Sequence, residues 1–251
     1  MLAVIGGSGL TQLANLDISH RQVVRTPFGE PSGPLVFGRI GSQGVVFLAR
    51  HGYGHTIPPH RVNYRANIWA LARESGATRI VSVASVGGIR RDLGPGTVVI
   101  PHQILDYTAG RDNTFFEGGE GQVVHVDFTH PYDEEVRSAL LRAAEGVGEA
   151  VVEGAVYATT QGPRLETAAE VDRLERDGAD IVGMTGMPEA VLARELEVPY
   201  AALCVVANWG AGRADSSEGI QFEQIEDVLH QSLGRVRNII AGLCTESYCP
   251  V

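Results

Sequence analysis

Three short polar turns in the sequence each follow an apolar, strand-like run. They are Gly6-Gly7-Ser8-Gly9, Arg50-His51-Gly52 and Gly183-Met184-Thr185. Glycine lets the backbone approach a ligand closely, and successive N–H groups beside a hydroxyl can cradle an anion. Arginine can bind phosphate through two N–H groups at once. Because ligands of α/β folds bind at the carboxyl ends of strands, we predict that Ser8, Arg50 and Thr185 converge on a phosphate.

Further turns carry residues that suit a flat heterocycle. Within Thr160–Glu166, Leu165 could press on a ring face while Glu166 accepts a ring N–H; alternatively, Glu166 is an acid at a helix N-terminus. The Asn208 amide has both a donor and an acceptor, so it either reads a lactam-like base edge or is an ordinary turn residue. Ala84–Ile89 is interpreted as another glycine turn after a strand.

The composition excludes several classes of function. A net charge of −10 argues against a nucleic-acid or anionic-membrane surface. All 20 basic residues are arginine, which excludes a Schiff-base lysine and the lysine of a nucleotide-binding P-loop. The dinucleotide-binding motif G-x-G-x-x-G fails here, because counting it from Gly7 places Gln12 where the final glycine is required. His51, His55 and His60 have no carboxylate or cysteine at a matching spacing, so no metal site is predicted.

Alternating strands and helices must position these turns. Strands are predicted at Ala3–Ile5, Val45–Leu48, Ile80–Val83, Val98–Ile100, Ala155–Thr159, Asp180–Val182 and Ala201–Val206. Helices are predicted at Asn67–Ser75, Asp133–Ala144, Thr167–Arg176, Ala190–Glu197 and Glu223–Leu243. The alternation predicts one α/β domain with a mixed, largely parallel central sheet flanked by helices, spanning residues 1–243, and a C-terminal tail at 244–251. Glu189 is interpreted as a favourable negative charge at the start of a helix.

The cysteines and the lengths of the apolar runs indicate the cellular compartment of the protein. Cys204, Cys244 and Cys249 are irregularly spaced, which favours a reducing cytoplasm over a disulfide framework. No run of roughly 18 apolar residues predicts a membrane span. The first residues lack the basic segment of a signal peptide. We therefore predict a cytoplasmic protein.

Taken together, the turns resemble those of the purine nucleoside phosphorylase family, in its trimeric branch of methylthioadenosine and methylthioinosine phosphorylases. The motifs are Gly6-Gly7-Ser8-Gly9, Arg50-His51-Gly52 with His55-Thr56, Val62–Trp69, Gly87-Gly88, Gln161-Gly162-Pro163-Arg164 and Gly183-Met184-Thr185. The resemblance runs from about Ala3 to Leu243. It implies that inorganic phosphate, as a co-substrate, cleaves the bond between ribose C1′ and purine N9, with no metal or organic cofactor.

The resemblance also assigns roles to individual residues. Phosphate binding is implied for Ser8, Arg50, His51 and Thr185; Ala84 stands where the family usually has a hydroxyl residue, so that contact is expected either to be lost or to shift to Ser85. Met184 is expected along the ribose, and His55 near the sugar and phosphate edge. His125 corresponds to a histidine that the neighbouring subunit contributes near the 5′ end of the sugar, which implies a homotrimer with shared active sites.

The predicted chemistry is stabilisation of a ribosyl oxocarbenium-like transition state. An anchored phosphate supplies proximity and opposite charge, with His51 helping to position it, and Asn208 stabilises the leaving purine at its N7/O6 edge. Asn208 and His51 are therefore the predicted catalytic residues.

Two departures indicate the substrate. Asn208 and Gly210 stand where methylthioadenosine phosphorylases have two aspartates, and Glu166 matches the glutamate of enzymes that prefer 6-oxopurines. An unpaired buried polar group costs about 1–3 kcal/mol, so this preference could reach about ten- to a hundred-fold. Phe222 and Ile225 are apolar at the 5′ end, where they suit a methylthio group or simply form the helix's core face.

We predict phosphorolysis of 5′-methylthioinosine. The alternatives are a methylthioadenosine phosphorylase, a general inosine or guanosine phosphorylase, a nucleoside hydrolase, and a nucleoside-binding protein that has lost activity.

Overall fold

A computed structural model describes residues 1–119 and 123–246 of the chain. The strands are β1 (Leu2–Gly6), β2 (Asp17–Gln22), β3 (Leu35–Ile40), β4 (Gln43–Ala49), β5 (Arg79–Gly88), β6 (Val98–Ile100), β7 (Gln103–Tyr107), β8 (Val152–Glu153), β9 (Val156–Thr160), β10 (Ile181–Gly183) and β11 (Tyr200–Trp209). The helices are α1 (Tyr64–Trp69), followed by a π-helical turn at Ala70–Glu74, then α2 (Glu134–Gly146), α3 (Ala168–Arg176), α4 (Gly186–Glu195) and α5 (Phe222–Thr245).

All of these strands belong to one mixed sheet, as the sequence predicted. The order β2-β3-β4-β1-β5-β10-β9-β7 forms the main path, and β11, β6 and β8 branch from β5. The central pairs β1–β4, β1–β5, β5–β11 and β9–β10 are parallel, whereas β2–β3, β3–β4, β5–β10 and β6–β11 are antiparallel. The sheet is covered on both faces, which explains why its central strands are apolar throughout.

The long strand β5 organises the sheet. One of its edges pairs with β11 along its length, from Ile80 to Gly88. The other edge pairs with β1 as far as Ser82 and with β10, running in the opposite direction, from Gly87. The carboxyl ends of β1 and β10 therefore face each other across Val83–Val86, where no strand occupies that edge among the described residues. Such a change of neighbour is where α/β sheets bind ligands.

Apolar side chains on the two faces of the sheet form two cores. Val81 and Val83 of β5 face one core, which includes Leu140 of α2 and Ile239 of α5. Their chain neighbours Ile80 and Ala84, with residues from α1 and α4, belong to the other core. This alternation follows from the two-residue period of a strand, which points successive side chains to opposite faces.

Several predicted boundaries were wrong. Residues 84–88 continue β5 because they pair with β11, so Ala84–Ile89 is not a turn after a strand. Strands β2, β3, β7 and β8 were not predicted; β2 is exposed along its whole length and therefore has no apolar pattern to detect. Thr167 and Glu170 form a capping box at the start of α3.

The predicted tail at 244–251 begins inside a helix. α5 extends through Thr245, and Cys244 lies on its buried side with 5% of its surface exposed, so the apolar period of the helix continues past residue 243. Cys249 lies outside the described residues. In residues 1–119 and 123–246, no helix is both long enough and apolar enough to cross a membrane.

Candidate active site

A cavity of about 680 Å³ opens where β1, β10 and β11 end around β5. Every predicted site residue except His125 lines it. We group these residues by predicted role: the phosphate set is Ser8, Arg50, His51, Ser85 and Thr185; the base set is Leu165, Glu166 and Asn208; the sugar residues are His55 and Met184; and the 5′ set is Ile220, Phe222 and Ile225. His125 is exposed and does not line the cavity of its own chain.

The glycines after β1 let the Ser8 turn lie directly against β5. A Cβ atom on Gly6 would clash with the Leu10 carbonyl oxygen, and one on Gly7 would lie 2.5 Å from the Val83 carbonyl oxygen. The turn is closed by a hydrogen bond from the Leu10 N–H to the Gly7 carbonyl, at 3.0 Å. Only glycine fits both positions, so the turn stays close to the unpaired edge of β5.

Arg50 fills the unpaired edge of β5, and a carboxylate holds it there. Its Nε and Nη2 donate to the two oxygens of Glu189, and Nη2 also donates to the Ser82 hydroxyl at 2.6 Å. Nη1 donates to the Val83 carbonyl at 3.0 Å. Arg50 and Glu189 are both fully buried. Four of the five guanidinium N–H groups are thus used within the protein.

This network corrects one prediction and extends another. Arg50 cannot bind phosphate through two N–H groups, because its forked face is directed at Glu189; one Nη1 N–H remains for the cavity. Glu189 lies in the first turn of α4, as predicted, but it is fully buried there. Its Oε2 also accepts from the Ser82 and Tyr200 hydroxyls, at 2.9 and 3.0 Å. Burial alone would lower the pKa of Arg50, but the Glu189 carboxylate raises it, so Arg50 is always charged.

His51 is held as a neutral imidazole. Its Nδ1 lies 2.7 Å from the Ile57 carbonyl oxygen, and a carbonyl only accepts, so Nδ1 carries the proton. Burial and the neighbouring Arg50 charge lower the pKa of His51 to about 4. Nε2 therefore has a free lone pair near pH 7, which can accept a proton from a phosphate O–H group.

The Met184-Thr185 turn is packed tightly against its neighbours. A Cβ atom on Gly162 would clash with the Met184 sulfur, and one on Gly186 would lie 2.8 Å from the Thr159 hydroxyl. Thr185 is the N-cap of α4, yet its side chain does not bond the helix backbone. Thr185 lines the cavity, but Met187 has non-helical φ and ψ of −114° and 140°, so the regular turns of α4 begin only after it.

The base set presents both acceptors and donors. The Glu166 carboxylate accepts the Thr160 hydroxyl at 2.6 Å, and Thr167 rather than Glu166 caps α3. The Asn208 Nδ2 donates to the Trp209 carbonyl at 2.6 Å, which fixes the orientation of the amide. One Nδ2 N–H and the oxygen of Asn208 remain for a ligand. Leu165 is half-buried on the cavity wall.

The sugar and 5′ residues are the least constrained part of the cavity. His55 has a left-handed backbone, with φ of 56°, and its Nε2 lies 3.5 Å from the Ser8 hydroxyl. Burial, and then the Arg50 charge, lower the pKa of His55. Phe222, at the first turn of α5, is 68% exposed.

Glu189 is the functional residue that sequence reasoning missed. Its segment, from Gly186 to Val191, is otherwise apolar, and charged side chains are almost never fully buried unless they are paired. An acid within such a segment was a signal that a buried arginine faces it. Among the described residues, no group of three or more His, Cys, Asp or Glu side chains is placed to hold a metal ion.

Comparison with known proteins gives the class to which this fold and site belong. The sequence profile of the phosphorylase superfamily matches residues 1–244 of the chain. The chain therefore belongs to the phosphorylase superfamily, and the predicted family is confirmed.

Individual relatives narrow the comparison. The chain is 50% identical over 245 residues to a protein of Pseudomonas syringae pv. tomato named probable S-methyl-5′-thioinosine phosphorylase, covering 98% of both chains. It is 46% identical over 247 residues to the 6-oxopurine nucleoside phosphorylase of Pyrococcus furiosus, covering 96% of this chain and 91% of the other. The structure of Schistosoma mansoni methylthioadenosine phosphorylase in complex with adenine matches with a TM-score of 0.92 at 33% identity, covering 97% of this chain and 90% of the other.

Proposed function

We propose that the protein cleaves the N-glycosidic bond of 5′-methylthioinosine with inorganic phosphate. A phosphate oxygen bonds to C1′ as the C1′–N9 bond breaks, and the electron pair of that bond leaves with the purine. The products are hypoxanthine, after protonation from solvent, and 5-methylthioribose 1-phosphate. One observation carries the proposal: a single cavity brings together the phosphate set, the base set and an apolar 5′ set.

The phosphate set favours an anion mainly through hydrogen bonds. Because Glu189 neutralises Arg50, the binding energy comes from one Arg50 N–H and from the Ser8, Ser85 and Thr185 hydroxyls. The neutral His51 accepts the remaining phosphate O–H through Nε2. Phosphate held in this way lies ready to attack, which lowers the entropic part of the barrier.

The base set favours a 6-oxopurine. Glu166 accepts N1–H, a group that hypoxanthine and guanine carry and adenine lacks. The free N–H of Asn208 donates to N7, where negative charge develops as the C1′–N9 bond breaks. Relatives named for thioinosine and for 6-oxopurine nucleosides support this assignment.

The 5′ set favours a methylthio group over a hydroxyl. Ile220, Phe222 and Ile225 offer apolar surface, and burying a methyl-sized group there contributes about 1 kcal/mol. We further propose that three copies assemble and that His125 of a neighbouring copy completes this end of the cavity. Phosphate is a co-substrate, and the proposed reaction needs no metal or organic cofactor.

Base release from methylthioinosine and methylthioadenosine, with and without phosphate, tests the proposal. We expect hypoxanthine to be released about ten- to a hundred-fold faster than adenine, and only with phosphate. Faster adenine release would overturn the base assignment and leave phosphorolysis standing. Release without phosphate would indicate hydrolysis, and no product from either substrate or from inosine would indicate a binding protein.

A Glu166→Gln variant sharpens this assay. The Thr160 hydroxyl that now donates to Glu166 would bind the amide oxygen of the new side chain, which turns the amide N–H toward purine N1. A donor there repels the N1–H of hypoxanthine and suits the bare N1 of adenine. We expect the ratio of the two kcat/KM values to move toward adenine by about ten-fold or more. An unchanged ratio would contradict the role of Glu166.

A further inference from the structure

Arg111 lies behind the cavity and contacts the two segments that form it. It is half-buried on the loop after β7 and does not itself line the cavity. No motif pointed to it, because it follows a loop glycine with no apolar pattern around it. Its five N–H groups lie within hydrogen-bond distance of six uncharged oxygen atoms, so that the two N–H groups of Nη1 are shared among three acceptors.

Half of these contacts go to the segment that leads into the base set. Nη2 donates to the carbonyls of Thr160 and Gln161, at 3.3 and 2.8 Å, and Nε donates to the Gln161 side chain at 3.1 Å. The same Gln161 side-chain oxygen accepts the Ala109 N–H at 3.0 Å. Arg111 thus fixes the chain at Thr160 and Gln161, and three residues separate Gln161 from Leu165.

The other contacts go to the turn that carries the ribose and phosphate groups. Nη1 donates to the carbonyls of Met184 and Met187, at 2.8 and 2.7 Å, which lie on either side of Thr185. It also donates to the Tyr64 hydroxyl at 3.2 Å, and Tyr64 in turn donates to the carbonyl of Pro59 on the cavity wall, at 2.9 Å.

We propose that Arg111 is a positioning residue that sets the distance between the purine and the phosphate. A planar guanidinium with donors along both edges can hold four backbone carbonyls from two segments in one plane; an ammonium has three donors on a flexible stem and cannot. The reaction needs C1′ placed between a purine that Leu165 and Glu166 contact from one segment and a phosphate that Thr185 contacts from the other. The inference rests on the phosphorolysis proposed above.

Arg65 provides a matched control. It anchors the same loop, through Asp112 at 2.6 Å and Glu117 at 2.9 Å, but contacts neither cavity segment. Arg111→Met and Arg65→Met therefore each remove one positive charge and one anchor of the same loop, although Arg65 holds it from α1 through carboxylates and Arg111 holds it through uncharged oxygens. Only the first also uncouples the base segment from the Met184-Thr185 turn.

Steady-state kinetics of both variants, with phosphate and nucleoside varied separately, tests the inference. A misplacement of about 1 Å costs on the order of a hundred-fold, so we expect Arg111→Met to lower kcat by about ten- to a hundred-fold with smaller changes in both KM values. Arg65→Met and wild type should differ little in kcat. Arg111→Lys should resemble Arg111→Met, and millimolar methylguanidine, but not methylammonium, should restore part of the Arg111→Met activity.

Hydrogen exchange measured by mass spectrometry supplies a readout independent of turnover. In Arg111→Met, the amides of residues 160–166 and 184–187 should exchange faster than in Arg65→Met. Equal exchange of these segments in the two variants, or an equal loss of kcat, would overturn the role of Arg111. A wild-type protein that releases no base with phosphate would instead overturn the proposed reaction. The exchange comparison would still decide whether Arg111 holds the two cavity segments together.

Discussion

The phosphate set and the 5′ set line the same cavity but are held in different ways. Arg50 is fully buried and Thr185 is 7% exposed, whereas Phe222 is 68% exposed. The first two lie at the ends of central strands and are fixed by side chains from several elements. Phe222 lies on the first turn of a helix whose N-cap residue, Gln221, makes no capping hydrogen bond.

The difference separates the reaction step from the choice of substrate. Attack on C1′ requires a phosphate held within a fraction of an ångström, which buried hydrogen bonds on strand ends provide. Recognition of an apolar 5′ group requires only surface that water leaves when the substrate binds. A phosphorylase could therefore change its 5′ preference at the start of α5 without disturbing the phosphate site.

Removing the Glu189 charge should have the largest effect on stability and activity, because Glu189 holds the buried Arg50 of the phosphate set in place. Glu189→Gln leaves Arg50 fully buried with no carboxylate partner, which costs about 3–5 kcal/mol. We expect that loss in the free energy of unfolding, measured in urea, together with a fall of about a hundred-fold or more in phosphate-dependent base release.

A double variant separates the two effects. Arg50→Met with Glu189→Gln removes both charges, and this leaves no unpaired buried charge, which is the main cost of removing one partner alone. It should recover most of the unfolding free energy but none of the activity. If Glu189→Gln alone keeps its stability within about 0.5 kcal/mol, the buried network does not hold the phosphate site in place.

The titration of His51, which also belongs to the phosphate set, should have a smaller effect, on the pH dependence of phosphate binding. Burial and Arg50 lower the pKa of His51 to about 4, so the ring is neutral in the free protein near pH 7. A bound phosphate places negative charge beside the ring, which favours the protonated form and raises that pKa. By linkage, His51 then strengthens phosphate binding as the pH falls between the bound and the free pKa values.

NMR of labelled histidine, with and without phosphate, measures both pKa values. His51→Gln serves as the control, because it removes this dependence while the phosphate's own titration remains. An unchanged pKa of His51 in saturating phosphate would mean that the ring does not contact the anion.

The same contrast explains what could be predicted from the sequence. Ser8 and Thr185 follow apolar strands and Asn208 lies near the end of one, so the sequence predicts that they meet at the carboxyl edge of the sheet. The Arg50–Glu189 pair joins residues 139 positions apart, and no local pattern gives the partner of a buried charge. Arg111 acts through backbone carbonyls, which have no sequence signature at all. Strand β2, exposed on both faces, could not be detected from hydropathy.

Truncating Phe222 should have the smallest effect on activity, and it tests the exposed 5′ set. Phe222→Ala removes apolar surface that only a bound 5′ group covers, so we expect kcat/KM for methylthioinosine to fall by about five-fold, equivalent to about 1 kcal/mol. Inosine, with a hydroxyl at this position, should lose less, and the unfolding free energy should not change because the side chain is 68% exposed. Parallel kinetics on the two nucleosides and a urea titration measure all three quantities. A loss as large as that of Glu189→Gln would show that the two halves of the cavity are not independent, and that the start of α5 also positions the phosphate.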